Sequence, residues 1–153
     1  MPNTILDRIF SKDAGLKVVT ERFQRCLGSE LAEGFLQLLL TLMSAVFLVS
    51  RDFKRSIKDF SGRYVFRSRD NRIETSVLFE NGRMHVREGR VENPNVTVVF
   101  KDSKALMSYL LSPKPDILGS LLRQDVVIDG NFNYLYKFAY MANRLKLMVT
   151  GGA

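Results

Sequence analysis

Few residues in this 153-residue chain have the chemistry of a catalytic centre. His85 is the only histidine, so a histidine-based metal cluster within one chain is excluded. By strand periodicity it falls on a polar sheet face with no Ser or Cys neighbour at triad geometry. Cys26 is the only cysteine. It cannot form an intrachain disulfide, and in a helical stretch it reads as a small hydrophobe. Asp125 and Asp129 share a face by period two, but paired-carboxylate chemistry needs a cleft, and strand-end and turn roles account for both. There is no phosphate-binding glycine loop. The residue types point away from an enzyme, and they imply no cofactor and no metal.

What remains is apolar chemistry and positive charge. The chain is 46% hydrophobic, with eleven Phe and no Trp. Purely apolar rings suit a core or a lipid-lined cavity equally. A net charge of +7 and a pI near 9.8 favour anionic partners, whether an acidic membrane surface, nucleic acid or an acidic protein. The lone thiol fits a reducing cytosol, and no signal peptide is expected at the N-terminus, so a cytoplasmic location follows.

From Gly34 to Ser50 (GFLQLLLTLMSAVFLVS) no residue is charged. Such a helix must be covered by a core, a partner or a membrane interface. A span is disfavoured by length: these seventeen residues give roughly 25 Å against a hydrocarbon core of ~30 Å. Leu31, Phe35, Leu38, Leu42, Ala45, Val49, Phe53, Ile57 and Phe60 recur at helical spacing as one continuous face. Phe35, Leu38, Leu42, Val49 and Phe53 are therefore candidates for membrane or partner contact. Gln37, Thr41 and Ser44 form a thin polar stripe elsewhere on the helix. Upstream, Val18–Leu27 suggests another helical piece, ended by Gly28-Ser29.

After Gly62 the period becomes two. Asn81-Gly82 predicts a hairpin with a two-residue loop. That loop pairs Glu80 with Arg83, Phe79 with Met84, Leu78 with His85, Val77 with Val86 and Ser76 with Arg87. A turn at Asp70-Asn71 pairs Phe66 with Thr75, Tyr64 with Val77 and Arg67 with Glu74. Both turns put Tyr64, Phe66, Ile73, Thr75, Val77, Phe79, Met84 and Val86 on one apolar face. The other face carries Val65, Leu78, His85 and the arginines, and it is expected to be wet. Because the aromatics lie opposite the arginines, a base-stacking platform, and with it nucleic-acid binding, is disfavoured.

Val96–Phe100 follows as a fourth strand, a helix capped by Asp102 or Ser103 runs to Leu111, and Pro113 and Pro115 break the chain. Asp125–Asp129 is a fifth strand and Phe132–Met148 the last helix. The expected fold class is α+β: a five-stranded, mainly antiparallel sheet covered on one face by helices, with an N-terminal helical extension. Residues 1–50 form that extension, with its apolar helix at about 30–60, and residues 51–148 the main domain.

The order of these elements resembles the sterol-carrier type-2 (non-specific lipid-transfer) family from about Arg51 to Met148. The match is densest at Leu121–Asn131, LLRQDVVIDGN. Leu121 and Leu122 fit the family's apolar pair, Val126 and Ile128 two strand positions, and Gly130-Asn131 the turn into the final helix. Family members often carry Gly-Lys where this chain has Gln124-Asp125. The long helical N-terminus is similar to bacterial members that act as accessory factors in ubiquinone biosynthesis. The resemblance implies an apolar tunnel between sheet and helices for a sterol, fatty acyl or polyprenyl lipid. Its candidate lining is Val98, Phe100, Leu106, Leu110, Ile117, Leu121, Leu122, Phe132, Tyr136 and Met141.

The expectation is a non-enzymatic carrier that binds and transfers or presents a hydrophobic lipid, peripheral to a membrane through the apolar helix and nearby basic residues. The alternative is an accessory module without a lipid ligand, using the 31–60 helix to dimerise or dock a protein partner.

Overall fold

Gly34 opens the long apolar helix because its left-handed backbone, φ 75°, turns the chain into it. The computed structural model describes residues 14–28, 34–111 and 125–150. Five helices and five strands lie within them: α1 (Ala14–Gly28), α2 (Phe35–Val49), α3 (Arg51–Ile57), β1 (Gly62–Ser68), β2 (Glu74–Glu80), β3 (Arg83–Glu88), β4 (Val96–Phe100), α4 (Ser103–Leu111), β5 (Val126–Gly130) and α5 (Phe132–Val149).

The continuous helical face expected from 31 to 60 is broken at Ser50. Its N–H still bonds Val46 O, closing α2, but its extended backbone and its Oγ, which accepts from Phe53 N, start α3 anew. The two axes meet at 104°. Asp52 in the first turn of α3 and Lys54 and Arg55 in its last suit the helix dipole. Among the described residues no single helix is long and apolar enough to cross a membrane. The apolar run is covered by protein: Phe35, Leu36, Leu38, Leu39, Leu40, Leu42, Met43, Val46 and Phe47 are all buried. A helix apolar nearly all round is a core helix. The hydrophobic core runs through α2 and the sheet alike, across the chain's turn at Ser50.

The sheet has the order β3-β2-β1-β4-β5, with β1 and β4 parallel and the other pairings antiparallel. The β2–β3 register is Glu80↔Arg83 through Ser76↔Arg87, and β1–β2 places Tyr64 opposite Val77 and Arg67 opposite Glu74, as the turns require. Asn71, Asn81 and Gly82 all have positive φ. In the first hairpin Ser68 Oγ donates to Asp70 and accepts from Ile73 N, so a serine organises that loop.

Helices α2, α4 and α5 cover the face bearing Tyr64, Phe66 and Phe79. Phe138 of α5 packs 4.9 Å from the Phe66 ring and 5.3 Å from Tyr64, and Phe47 meets Phe79 edge-on. Tyr64 Oη donates to Tyr134 O at 2.7 Å, so its buried hydroxyl is satisfied. Helix α1 stacks Phe23 on Phe35, and Gln24 Nε2 donates to Val149 O at the end of α5.

The opposite face is not wet throughout. After β3 the chain crosses back over β2 and β1 as a strap, residues 89–95. Ser76, 1% exposed, donates to Gly89 O and accepts from Val91 N. The Arg63 guanidinium bonds Glu92 O, and Asn95 pairs with the Arg63 backbone while its side chain accepts from Arg63 N. Val65 and Leu78 on this face are buried at 0% and 7% exposure. A crossover is needed because β4 joins β1 on the far side of the meander, and period-two reading of each strand does not reveal it.

Candidate functional site

The cleft forms where α2 diverges from the outer strands. Leu36, Gln37, Leu40, Thr41 and Ser44 recur at one- and four-residue steps, so they share one side of α2. Facing them are Ile73 and Thr75 of the β2 end and Val86 of β3, alternate positions on the helix-covered sheet face. Gly34 and Ser103 complete a cavity of about 390 Å³. Its walls are leucine, isoleucine and valine with a line of hydroxyls and one amide. Val86 remains 43% exposed because β3 is an edge strand that no described helix fully covers.

The cleft adjoins a polar hollow of about 500 Å³ that shares Gln37, Ile73, Thr75 and Val86 and adds Asn71, Arg72, Glu74, Arg87, Glu88 and Gly89. Arg72 lies 3.6 Å from Asp70, and Arg90 pairs with Glu74 at 3.4 Å. The Ser68 hydrogen bond, helped by Arg72 N–H, holds the Asp70 carboxyl below its usual range. The outer hollow is therefore charged and balanced, and the inner cleft is uncharged among the described residues.

The groups considered first for chemistry lie elsewhere. His85 is exposed on β3, opposite Leu78. Cys26 is buried in the α1–α2 packing, and burial pushes its thiol up against the opposing pull of Arg22. Asp129 is exposed on β5 and Asp125 half-buried before it. Burial also pushes the Tyr64 phenol far up and that of Tyr109 to about 12, with Tyr134 and Tyr136 adding smaller effects. Among the described residues no three or more His, Cys, Asp or Glu side chains are grouped to hold a metal.

Of the residues expected to line a tunnel, Val98, Phe100, Leu106, Leu110 and Met141 are closed into the core, at most 1% exposed. Phe132 is half-buried and Tyr136 exposed, their rings 6.3 Å apart. None of these seven lines the cleft. Ile117, Leu121 and Leu122 lie outside the described residues. Of the expected contact residues, Phe35, Leu38, Leu42 and Phe53 are buried in the interior and Val49 is half-buried, because α1, α4, α5 and the sheet together cover the apolar side of α2 and α3. Gln37, Thr41 and Ser44 were visible in the sequence as a polar stripe and Ile73, Thr75 and Val86 as part of an apolar strand face, whereas Leu36 and Leu40 belonged to neither. Their juxtaposition is tertiary.

An α+β domain whose mixed five-stranded sheet is covered on one side by helices in this order has a sterol-carrier-like fold. No family profile and no curated protein matches the sequence. Solved structures do match. One is a ubiquinone synthesis protein, UbiJ-SCP2, at 14% identity and a TM-score of 0.55, covering 75% of this chain and 95% of that one. Another is the sterol carrier protein domain 2 of Helicoverpa armigera, at 18% identity and 0.51, covering 73% and 87%. A third is the inverting sec-alkylsulfatase Pisa1 from Pseudomonas sp., at 15% identity and 0.50; the match covers 64% of this chain but spans only 15% of that enzyme.

Proposed function

We propose that this protein is a non-catalytic carrier that binds a hydrophobic, lipid-class molecule in the cleft between α2 and the β2–β3 edge and transfers or presents it. The observation that carries this reading is the apolar cleft itself, about 390 Å³ at the sheet–helix interface, within the volume range of small-molecule sites. The sterol-carrier-like fold supports it, as do the two matching structures described as a sterol carrier domain and a ubiquinone synthesis protein. Each methylene moved from water onto Leu36, Leu40, Ile73 and Val86 stabilises the complex by ~0.8 kcal/mol, so a long chain needs no ionic anchor.

The ligand would be collected at a cytoplasmic membrane surface. The Ser50 corner suits that approach: Leu48 is 75% exposed there, beside the exposed Arg51, Lys54 and Arg55 of α3.

Native mass spectrometry and lipid extraction of the purified chain test the reading, with Thr41→Trp as the comparison. Thr41 is exposed on α2 and lines the cleft, so the indole fills the cavity without displacing core residues. Co-purifying lipid in the wild type, its loss from Thr41→Trp and slower pick-up from anionic vesicles by Leu48→Asp are expected. A wild-type protein that takes up no lipid, or a Thr41→Trp variant that takes up as much, overturns the carrier reading. Equal pick-up by Leu48→Asp removes the membrane approach alone.

A further inference from the structure

We infer that the polar end of the ligand is uncharged and hydrogen-bonding, an alcohol or a carbonyl, and is seated along Gln37, Thr41 and Ser44; this rests on the carrier reading above. The three residues stand at i, i+4 and i+7 on α2, a stripe roughly 10 Å long beside the apolar wall of Leu36 and Leu40. Each has hydrogen-bonding capacity to offer. Thr41 gives its proton to Gln37 O at 2.8 Å and so presents oxygen lone pairs to the cleft. Among the described residues Ser44 donates to the Met84 thioether at 3.8 Å, a weak acceptor that a ligand oxygen outcompetes. The Gln37 side-chain amide forms no hydrogen bond with another described residue and supplies both a donor and an acceptor.

The same walls are poor for a charged head. No Asp, Glu, Lys, Arg or His is among the described residues lining the inner cleft. The lining of the outer hollow carries Arg72 and Arg87 against Glu74 and Glu88, with Arg72 beside Asp70 and Glu74 paired to Arg90. Among the described residues the inner cleft offers a carboxylate or phosphate no counter-ion for the water it would lose, whereas a hydroxyl or carbonyl would exchange water for the stripe. The ligand class is therefore a neutral amphiphile with an alcohol or carbonyl head, rather than a fatty acid anion or an acyl phosphate.

Three probes with one tail separate the possibilities: decan-1-ol, decanoate and decane, titrated calorimetrically at about pH 8, where an ordinary carboxyl is ionised. Decan-1-ol should bind at least about tenfold more tightly than decanoate and more tightly than decane. Gln37→Leu and Ser44→Ala should each lower decan-1-ol affinity about fivefold and leave decane unchanged. Decanoate binding as well as the alcohol, or decane binding as well as the alcohol, overturns this inference while leaving the carrier reading in place. Failure of all three to bind overturns both.

Discussion

Gly130→Ala should be the most damaging single-methyl addition in the sheet. Gly130 ends β5 opposite Val96, at φ 121°, a backbone conformation that residues with a Cβ rarely adopt. A Cβ there would press on the Asn95 carbonyl oxygen, with Val96 Cα at 2.8 Å and the Asn95 carbonyl carbon at 3.1 Å. All three are backbone atoms, so no side chain can swing away. The same Asn95 carbonyl accepts from Asn131 N at 2.8 Å, and Asn131 caps α5 through Asn133 N. The variant must therefore strain φ, at about 1–3 kcal/mol, and shift or break a backbone hydrogen bond, at about 1–3 kcal/mol. The sum is about 2–6 kcal/mol, a large part of the ~5–15 kcal/mol that holds a domain together. For a chain of this length that corresponds to a fall in Tm of roughly 4–24 °C. Gly82→Ala is the control: φ is 73° and nothing lies within 4 Å of its added Cβ, so only local strain of about 1 kcal/mol applies. Urea unfolding of the three proteins, followed by circular dichroism, gives both differences. If Gly130→Ala costs no more than Gly82→Ala, the close approach of β5 to the Asn95–Val96 backbone is wrong.

Ser76→Ala should cost about 1–3 kcal/mol in urea, because it strips partners from Gly89 O and Val91 N under the strap; a change below about 0.5 kcal/mol would mean that water replaces the hydroxyl there. Alkaline stability should fall with pH once the unfolded phenol ionises near 10. Burial raises the folded Tyr64 value above that, so between the two values the folded state holds the extra proton and stability declines with pH. The slope from Tyr64 reaches at most about 1.4 kcal/mol per pH unit, and Tyr64→Phe should flatten it. An unchanged slope in that variant would place the alkaline transition elsewhere.

Local rules explain why much of the sheet was legible. Asn81-Gly82 and Asp70-Asn71 fix two registers because side-chain period and turn length admit one solution each, and the observed pairs follow it. The break at Ser50 was masked by its neighbours: Phe53 and Ile57 continue the apolar spacing, although Ser50 itself is a good N-cap. The dry centre of the second sheet face was hidden because its cover is a nonlocal strap; Val65 and Leu78 were the signal. The cleft is a similar case. Gln37, Thr41 and Ser44, and Ile73, Thr75 and Val86, were recognised as two separate stripes, but only the packing of α2 over the outer strands makes them one site.

The strap also sets where the molecule is firm. β1 is bonded to a neighbour on both sides, its core face is packed on aromatic rings, and its other face carries the buried Val65 beside the strap's anchors on Arg63. β3 is bonded on one side only and is mostly exposed. Amide exchange in β1 should therefore report global unfolding, whereas β3 opens at lower free energy. The cleft takes one wall from that looser edge, so its rim can breathe while the rest of the sheet stays closed.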